Sequence, residues 1–281
     1  MSVPPQMADD LTATLESNRH RMWPFGSRIV HRPSVGSTND VAAALATGGA
    51  PEGTLVIADA QTAGRGRMGH AWYSPPGAGL YVSVVLRPPR GWLSTAPGLV
   101  NLLTLTAGFA VAEGLRAATG IDASIKWPND IVVGRSGTAS GGWRKIAGIL
   151  AEGAATGGEL QHVVLGYGVN LLHVEYPPEI AERATSVEQE IGRRIERPAV
   201  LVQTLAVLAQ GYTSLAEGDA QGVLARWRTL SPSCEGAPVA WTGAAGRVVG
   251  VTAGVDTTGA LLVRVGGGQT EAIRSGEVTW L

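Results

Sequence analysis

Several features that would narrow the function are scarce in this sequence. Cys234 is the single cysteine among 281 residues, so the chain can form neither an internal disulfide nor a metal site made of cysteines. Lysine and arginine together number 22 against 23 acidic side chains, and the basic residues are scattered along the chain. This balance provides no basic surface for nucleic acid or for an acidic membrane. We therefore expect neither as a partner.

Targeting signals are missing as well. Residues 1–21 are polar and show no basic flank followed by an apolar stretch, which a secretory signal would need. The most apolar window, residues 99–115, contains Asn101, Thr104 and Glu113 and falls short of the roughly 20 apolar residues that span a membrane. We expect a core helix there and a cytoplasmic protein.

The pattern of apolar residues divides the chain into three predicted segments. Residues 1–28 form a short leader with one helix over residues 11–20. Residues 29–231 alternate short apolar strands with helices and form the large middle segment. Residues 232–281 carry short strands separated by turns, which suggests a small β-barrel domain.

Periodicity and turn residues position the individual elements. The strands of the middle segment are predicted over residues 29–32, 55–59, 80–86, 124–126, 131–133, 146–152 and 163–168. A loop is predicted at residues 135–142 and a glycine-rich turn at residues 153–158. Helices are predicted over residues 41–45, 99–119, 201–215 and 220–227. The barrel strands are predicted at residues 239–241, 247–255, 261–265 and 271–273.

The stretch from Asp59 to Trp72, called here the arginine loop, is the most informative part of the sequence. It follows a predicted strand and sets Arg65 and Arg67 among three glycines. Glycine lets a backbone approach a ligand closely, and each guanidinium is a rigid fork of donors that suits carboxylate or phosphate. The pattern indicates a loop that closes over an anion, with a solvated basic turn as the alternative.

Three further motifs each have a functional and an ordinary interpretation. Residues 126–130 (Lys-Trp-Pro-Asn-Asp) combine a cation, an aromatic face and two oxygen-bearing side chains, but Pro-Asn-Asp is also good turn chemistry. Residues 145–152 (Lys-Ile-Ala-Gly-Ile-Leu-Ala-Glu) begin with a lysine. It could hold a positive charge at the mouth of a pocket, or it could be a surface residue that protects the strand from aggregation. Residues 166–170 (Gly-Tyr-Gly-Val-Asn) place glycines inside a strand, for a close approach or for a bulge.

Taken in order, these motifs resemble the signature blocks of biotin protein ligases. The matching blocks are Ser37–Asn39, Gln61–Arg67 and residues 126–130, 145–152 and 166–170, within a resemblance that runs from about Val35 to the C-terminus. The resemblance implies an α+β fold: a class II aminoacyl-tRNA synthetase-like mixed, mostly antiparallel sheet with flanking helices, followed by an SH3-like β-barrel.

The resemblance also implies the activity and its partners. Such enzymes join biotin to ATP, which gives biotinyl-5′-AMP and pyrophosphate, and Mg²⁺ accompanies the nucleotide. They then transfer the biotinyl group to one lysine of a biotin carboxyl carrier protein or domain, here of an acyl-CoA or pyruvate carboxylase. The oligomeric state stays open, a homodimer included.

Individual residues take their expected roles from the same resemblance. The catalytic cations would be Arg67, Lys126 and Lys145. Biotin would contact Ser37, Thr38, Asn39, Gln61, Arg65, Gly66, Arg67 and Lys145, and Trp72 or Trp127 would wall its ring. ATP and the adenylate would contact Arg65, Arg67, Lys126, Trp127, Asn129, Asp130 and Asn170. Asp130 would also be a magnesium ligand, since Mg²⁺ usually takes only one or two carboxylates beside phosphate and water.

Two departures from the family pattern qualify this expectation. His70 stands where the family loop commonly has arginine, and imidazole lacks the guanidinium fork, so weaker loop ordering or adenylate retention is expected. Residues 1–28 are too few for the winged-helix domain of some members, and they are not basic, so we expect a monofunctional ligase without DNA binding.

Two other functions compete with this interpretation. A lipoate–protein ligase has a related fold and adenylation chemistry, but the arginine loop and the motif at residues 126–130 match the biotin family instead. A non-catalytic regulator that binds biotin or biotinyl-AMP would not need the full set of cations, which this sequence retains.

Overall fold

The structure is a computed structural model that describes residues 5–89, 98–134, 142–157, 159–243, 246–274 and 276–281, with side chains from residue 11 onward. The loop predicted at residues 135–142 lies outside the described residues except for Gly142.

A mixed sheet of seven strands forms the centre of the molecule, in the order β1-β2-β3-β7-β6-β5-β4. Strands β1 and β2 run parallel, whereas every other neighbouring pair is antiparallel, as predicted for a mixed, mostly antiparallel sheet. The strands are β1 Arg28–Arg32, β2 Thr54–Ala58, β3 Gly79–Leu86, β4 Ser124–Lys126, β5 Asp130–Val133, β6 Arg144–Thr156 and β7 Glu159–Asn170.

Helices cover both faces of this sheet. One face carries α2, whose alanines pack on valines of four strands in a small cluster: Val30, Ala42, Ala46, Val56, Val85 and Val164. The other face holds the main core, in which the long helices α3 and α6 pack on each other. The helices are α1 Pro5–Ser17, α2 Thr38–Thr47, α3 Leu99–Thr119, α4 Pro178–Ala181, α5 Val187–Ile191, α6 Arg197–Ala216 and α7 Ala220–Leu230.

Two of these helices, α3 and α6, are long and apolar enough to cross a membrane by length and composition alone. Most residues of both are buried inside the fold, where they contact each other and the sheet. Core helices of this kind pass the same test as membrane spans. The prediction of a core helix over residues 99–115 is therefore confirmed.

Several predicted boundaries were wrong. Helix α1 starts at Pro5 and ends at Ser17 instead of covering residues 11–20, and the leader supplies Leu11 and Leu15 to the main core. The turn predicted at residues 153–158 belongs largely to β6, because its backbone pairs with β7 as far as Thr156. A β-hairpin needs only a short turn, which Gly157 permits with φ 61°.

A second, antiparallel sheet of five strands follows, in the order β11-β10-β9-β8-β12. The sequence predicted four of them and missed the short last strand. Its strands are β8 Glu235–Gly243, β9 Gly246–Val255, β10 Leu261–Arg264, β11 Thr270–Ile273 and β12 Val278–Trp280.

Candidate active site

The arginine loop folds as a small hairpin beside the start of α2. Trp72 N donates to Gly64 O at 2.8 Å and Gly66 N donates to His70 O at 2.7 Å. Ala63 N donates to Gly36 O at 2.8 Å, which fixes the loop to the segment before α2. The arginines and the Ser37–Asn39 block therefore lie on one side of the sheet.

Buried polar side chains gather at the start of α2, and this group is called here the polar pocket. Gln61 Oε1 accepts from Thr38 N at 2.8 Å, so Gln61 caps a helix start at which the Ser37 side chain makes no cap hydrogen bond. Ser83 Oγ lies 2.6 Å from Asn39 Oδ1 and 2.9 Å from Thr38 Oγ1. The sequence reasoning missed Ser83, although a serine inside the apolar strand β3 was a usable signal.

The strand glycines make room for two side chains of this pocket. Gly148 and Gly168 are opposite each other on β6 and β7, and a Cβ on either would meet the indole of Trp72. A Cβ on Gly166 would collide with the carboxamide of Asn39. No bulge interrupts the pairing of β7 with β3 or with residues 147–154 of β6. The glycines therefore serve a close approach, and the bulge interpretation was wrong.

The predicted cations converge beyond Trp72. Lys145 Nζ lies 2.5 Å from Asp130 Oδ1 and 5.2 Å from the centre of the Trp72 ring. Arg67 Nη1 donates to Asn129 Oδ1 at 3.5 Å, and Asn129 Nδ2 donates to the carbonyl of Ile149 at 2.8 Å. The structure thus brings residues 67, 129, 130 and 145 together from three separate motifs.

Lys126 completes this cationic cluster. Burial lowers its pKa, and the neighbouring charges of Lys145 and Arg183 lower it further, while Asp130 and Glu277 oppose them. Burial likewise lowers the pKa of Arg67, against the charge of Asp130. Positive charges held close together and partly away from water attract a polyanion.

The affinity of this cluster for a polyanion such as a triphosphate is expected to weaken as the pH rises toward 10.5, the ordinary pKa of lysine. The lowered pKa leaves part of Lys126 neutral below that pH, and a bound phosphate would raise the pKa again. Binding should therefore take up protons between the lowered pKa and 10.5. Without ligand, the free energy of unfolding should increase as the pH rises through the same interval, because the unfolded chain binds this proton more tightly than the folded one. Titration calorimetry in two buffers of different ionisation enthalpy measures the uptake. A proton uptake that is unchanged in Lys126→Gln would contradict the assignment.

Three side chains that were predicted to contact a ligand bond to other residues of the protein instead. Trp127, beside the cis peptide bond to Pro128, is buried and donates from Nε1 to Gly259 O at 3.0 Å. Asn170 Nδ2 donates to Thr185 O at 3.0 Å. Arg65 forms ion pairs with Asp40 and Glu152. Their contacts with ligands, like the other assigned roles, stay predictions.

A cleft of about 250 Å³ lies beside Arg67. Its walls come from the tip of the arginine loop, from the Trp127–Pro128 turn, from the first turns of α3 and from β6. Met68 at the tip has φ 55° and its side chain is 68% exposed. His70 is also exposed, and only its backbone bonds within the loop.

A buried charge cluster at the base of the arginine loop had escaped the sequence reasoning. Asp59 accepts from Arg197 Nη1 at 3.0 Å and lies 3.0 Å from His31 Nε2. Burial raises the pKa of Asp59, but the nearby His31 imidazole and the charge of Arg197 outweigh it, so the net shift is downward. A lone aspartate at the end of a buried strand was the available signal.

Comparison with known proteins places this arrangement in a family. The sequence pattern of the Biotin/lipoate A/B protein ligase family matches residues 32–170. The bifunctional ligase/repressor BirA of Bacillus spizizenii is 38% identical over 190 residues, which cover 67% of this chain and 54% of that protein. The biotin–[acetyl-CoA-carboxylase] ligase of Mycobacterium tuberculosis is 35% identical over 254 residues, which cover 88% of this chain and 86% of that protein. The chain thus spans about half the length of the Bacillus relative.

Solved structures agree with the sequences. The biotin protein ligase of Aquifex aeolicus in complex with biotin and ATP superposes with a TM-score of 0.73 and 28% identity, over 90% of this chain and 98% of that one. The fold and the matched residues 32–170 define the class of biotin and lipoate protein ligases. Within that class, the extent and identity of the Mycobacterium match show that the chain belongs to the biotin protein ligase family.

Proposed function

We propose that this protein is an ATP-dependent biotin protein ligase that activates biotin as biotinyl-5′-AMP and transfers it to a carrier protein. The observation that carries the proposal is the convergence of Arg67, Lys126 and Lys145 on Asn129 and Asp130, beside the polar pocket under the arginine loop. The pocket suits a neutral polar ligand that ends in a carboxylate, and the cluster suits a triphosphate.

The adenylation step joins two anions, which explains the cations. A carboxylate oxygen of biotin attacks the α-phosphorus of ATP, the bond from that phosphorus to the oxygen bridging to the β-phosphate breaks, and pyrophosphate leaves. Arg67 and Lys145 would neutralise the repulsion between carboxylate and phosphate, and Lys126 would hold the leaving phosphates. In the second step the carrier lysine, as a free amine, attacks the carbonyl carbon, forms an amide and releases AMP.

The polar pocket would hold the biotin ring. The amide and hydroxyl groups of Thr38, Asn39 and Gln61 would pair with the ureido atoms, because an unpaired buried polar atom costs about 1–3 kcal/mol. Ser37 belongs to the same buried turn. Trp72 would wall the apolar part of the ring.

Magnesium fits this site only as a companion of the nucleotide. Among the described residues no group of three histidine, cysteine or acid side chains could hold a metal ion alone. Asp130 offers one carboxylate, whose Oδ1 binds Lys145, and Mg²⁺ that arrives with phosphate needs no more than one or two. Bound there, Mg²⁺ would neutralise phosphate charge.

The remaining assignments follow from the proposed activity. The acceptor would be a biotin carboxyl carrier protein or domain of an acyl-CoA or pyruvate carboxylase, and the site of action would be the cytoplasm. Residues 29–231 would form the catalytic domain, related to class II aminoacyl-tRNA synthetases, and residues 232–281 an SH3-like domain. A homodimer is compatible with these roles.

A direct assay tests the proposal. The protein is incubated with biotin, ATP, Mg²⁺ and a purified carrier domain, and the intact mass of the carrier is followed. The expected result is the gain of one biotinyl group that depends on both biotin and ATP. Lipoate in place of biotin should give no product; preferential transfer of lipoate would identify a lipoate ligase. Binding of biotin without ATP–pyrophosphate exchange would identify a non-catalytic regulator.

A further inference from the structure

Arg65 differs from Arg67 in what its guanidinium contacts. Its two terminal nitrogens bind both oxygens of Asp40 at 2.7 Å, in a forked pair with the first turn of α2. The Nη2 atom also lies 3.5 Å from Glu152 Oε2 on β6. The hydrogen bond to Asp40, with the charge of both carboxylates, raises the pKa of Arg65 even though burial lowers it.

These contacts leave Arg65 poorly suited to hold an anionic ligand. A fork that already binds a carboxylate through both terminal nitrogens cannot present the same edge to a second carboxylate or a phosphate. The two carboxylates also outnumber the single guanidinium, so this corner of the site is negative overall. The described contacts of Arg67 include no carboxylate hydrogen bond, and that residue keeps its charge available.

The same contacts connect three parts of the site. Arg65 lies on the arginine loop, Asp40 on the helix that starts at the polar pocket, and Glu152 on the strand that carries Lys145. Glu152 Oε2 also accepts from Asn39 Nδ2 at 2.6 Å and so orients the Asn39 carboxamide. A shift of the loop would therefore also change the position of the Asn39 carboxamide in the polar pocket.

We propose that Asp40, Arg65 and Glu152 form an ionic latch that keeps the arginine loop closed, so that Arg65 is a positioning residue whose main effect is on how long biotinyl-5′-AMP stays bound. The inference rests on the proposed function, since it concerns the intermediate of that reaction. Exposed ion pairs are individually weak, and a latch of this strength can open for the carrier lysine. Its position suits control of release more than control of chemistry.

The test compares Asp40→Asn, Arg65→Gln and their double variant with the wild type. Asp122→Asn is the matched control, because Asp122 forms an exposed ion pair with Arg116 at 2.8 Å that involves no part of the site described above. Preformed, labelled biotinyl-5′-AMP is chased with unlabelled adenylate to give the release rate, and single-turnover adenylation is measured beside it. Hydrogen exchange at the amides of Gly66 and Trp72 reports loop opening without any ligand.

Asp40→Asn and Arg65→Gln should each speed release about three- to tenfold, and the double variant should be no faster than the faster single variant. Release should increase more than adenylation falls for Asp40→Asn, and its Gly66 and Trp72 amides should exchange faster. Asp122→Asn should match the wild type. Additive effects in the double variant, or a wild-type release rate in Asp40→Asn, would overturn the latch.

The ligand-free measurement separates this inference from the proposed function. A wild type that makes no biotinyl-5′-AMP would refute the function and with it the role in release. Unchanged Gly66 and Trp72 exchange in Asp40→Asn refutes the latch, whatever the enzyme catalyses.

Discussion

Replacing Lys145 by alanine is expected to slow single-turnover formation of biotinyl-5′-AMP about tenfold or more. A hydrogen bond to a charged group contributes about 1.5–3 kcal/mol, and loss of that amount from the transition state corresponds to a factor of about 10 to 150. Lys145 lies 2.5 Å from Asp130 and faces Trp72, so its removal also takes away the cation that pairs directly with the Asp130 carboxylate. The cluster would then offer less positive charge to the incoming triphosphate.

The neighbouring residue provides a matched control for this prediction. Arg144 precedes Lys145 on the same strand, but its side chain pairs with Glu190 at 2.8 Å, and no contact with the cationic cluster is described. Arg144→Ala should therefore adenylate biotin at close to the wild-type rate, while Arg67→Ala should resemble Lys145→Ala. An unchanged rate in Lys145→Ala, with the protein folded, would remove Lys145 from the mechanism.

The hydrophobic pattern was enough to locate most of the fold. Strand β3 and helix α3 are largely apolar, and β3 stops just before Pro88 while α3 ends at Gly120, so their positions follow from local chemistry. Sheet order, by contrast, depends on which distant strands bury each other. The pairing of β3 with β7 across more than 70 residues could not be derived from either strand alone.

The site was predictable where its residues form compact motifs. Residues 126–130 and 145–152 stand out as short strings, and the structure brings them together at Lys145 and Asp130. Contacts between isolated residues could not be predicted, because Asp40 and Arg65 are 25 positions apart in the sequence and Asp59 and Arg197 are 138 apart. Such pairs become neighbours only when the whole chain has folded.

The glycines of β6 and β7 show which part of the site follows from the local sequence and which part depends on the fold. The sequence indicated a close approach or a bulge at residues 166–170 and did not identify the approaching group. The structure shows that side chains approach: Trp72 lies over Gly148 and Gly168, and Asn39 lies over Gly166. A backbone requirement can be inferred from glycine, but the identity of the neighbour cannot.

Gly168→Ala is therefore expected to impair the enzyme severely although it adds a single methyl group. The new Cβ would collide with the indole of Trp72, which Gly148 confines from the facing strand. Overpacking of this kind typically costs about 1–3 kcal/mol. To avoid the collision, Trp72 would have to move away from the sheet, and the arginine loop would move with it because Trp72 N donates to Gly64 O. We expect single-turnover adenylation to fall about tenfold or more.

Two comparisons show whether Trp72 is the cause. Gly153 lies in the same sheet, but an alanine methyl there would meet the flexible end of Leu160 at 3.2 Å and Val100 Cγ2 at an ordinary 3.6 Å. Adenylation in Gly153→Ala should therefore stay near the wild-type rate. Trp72→Phe provides a smaller ring over the glycines. If the collision is responsible, Gly168→Ala should add little further loss in the Trp72→Phe background, because the group it displaces has already been reduced. Losses that multiply in the double variant would mean that Gly168 acts through something other than the tryptophan.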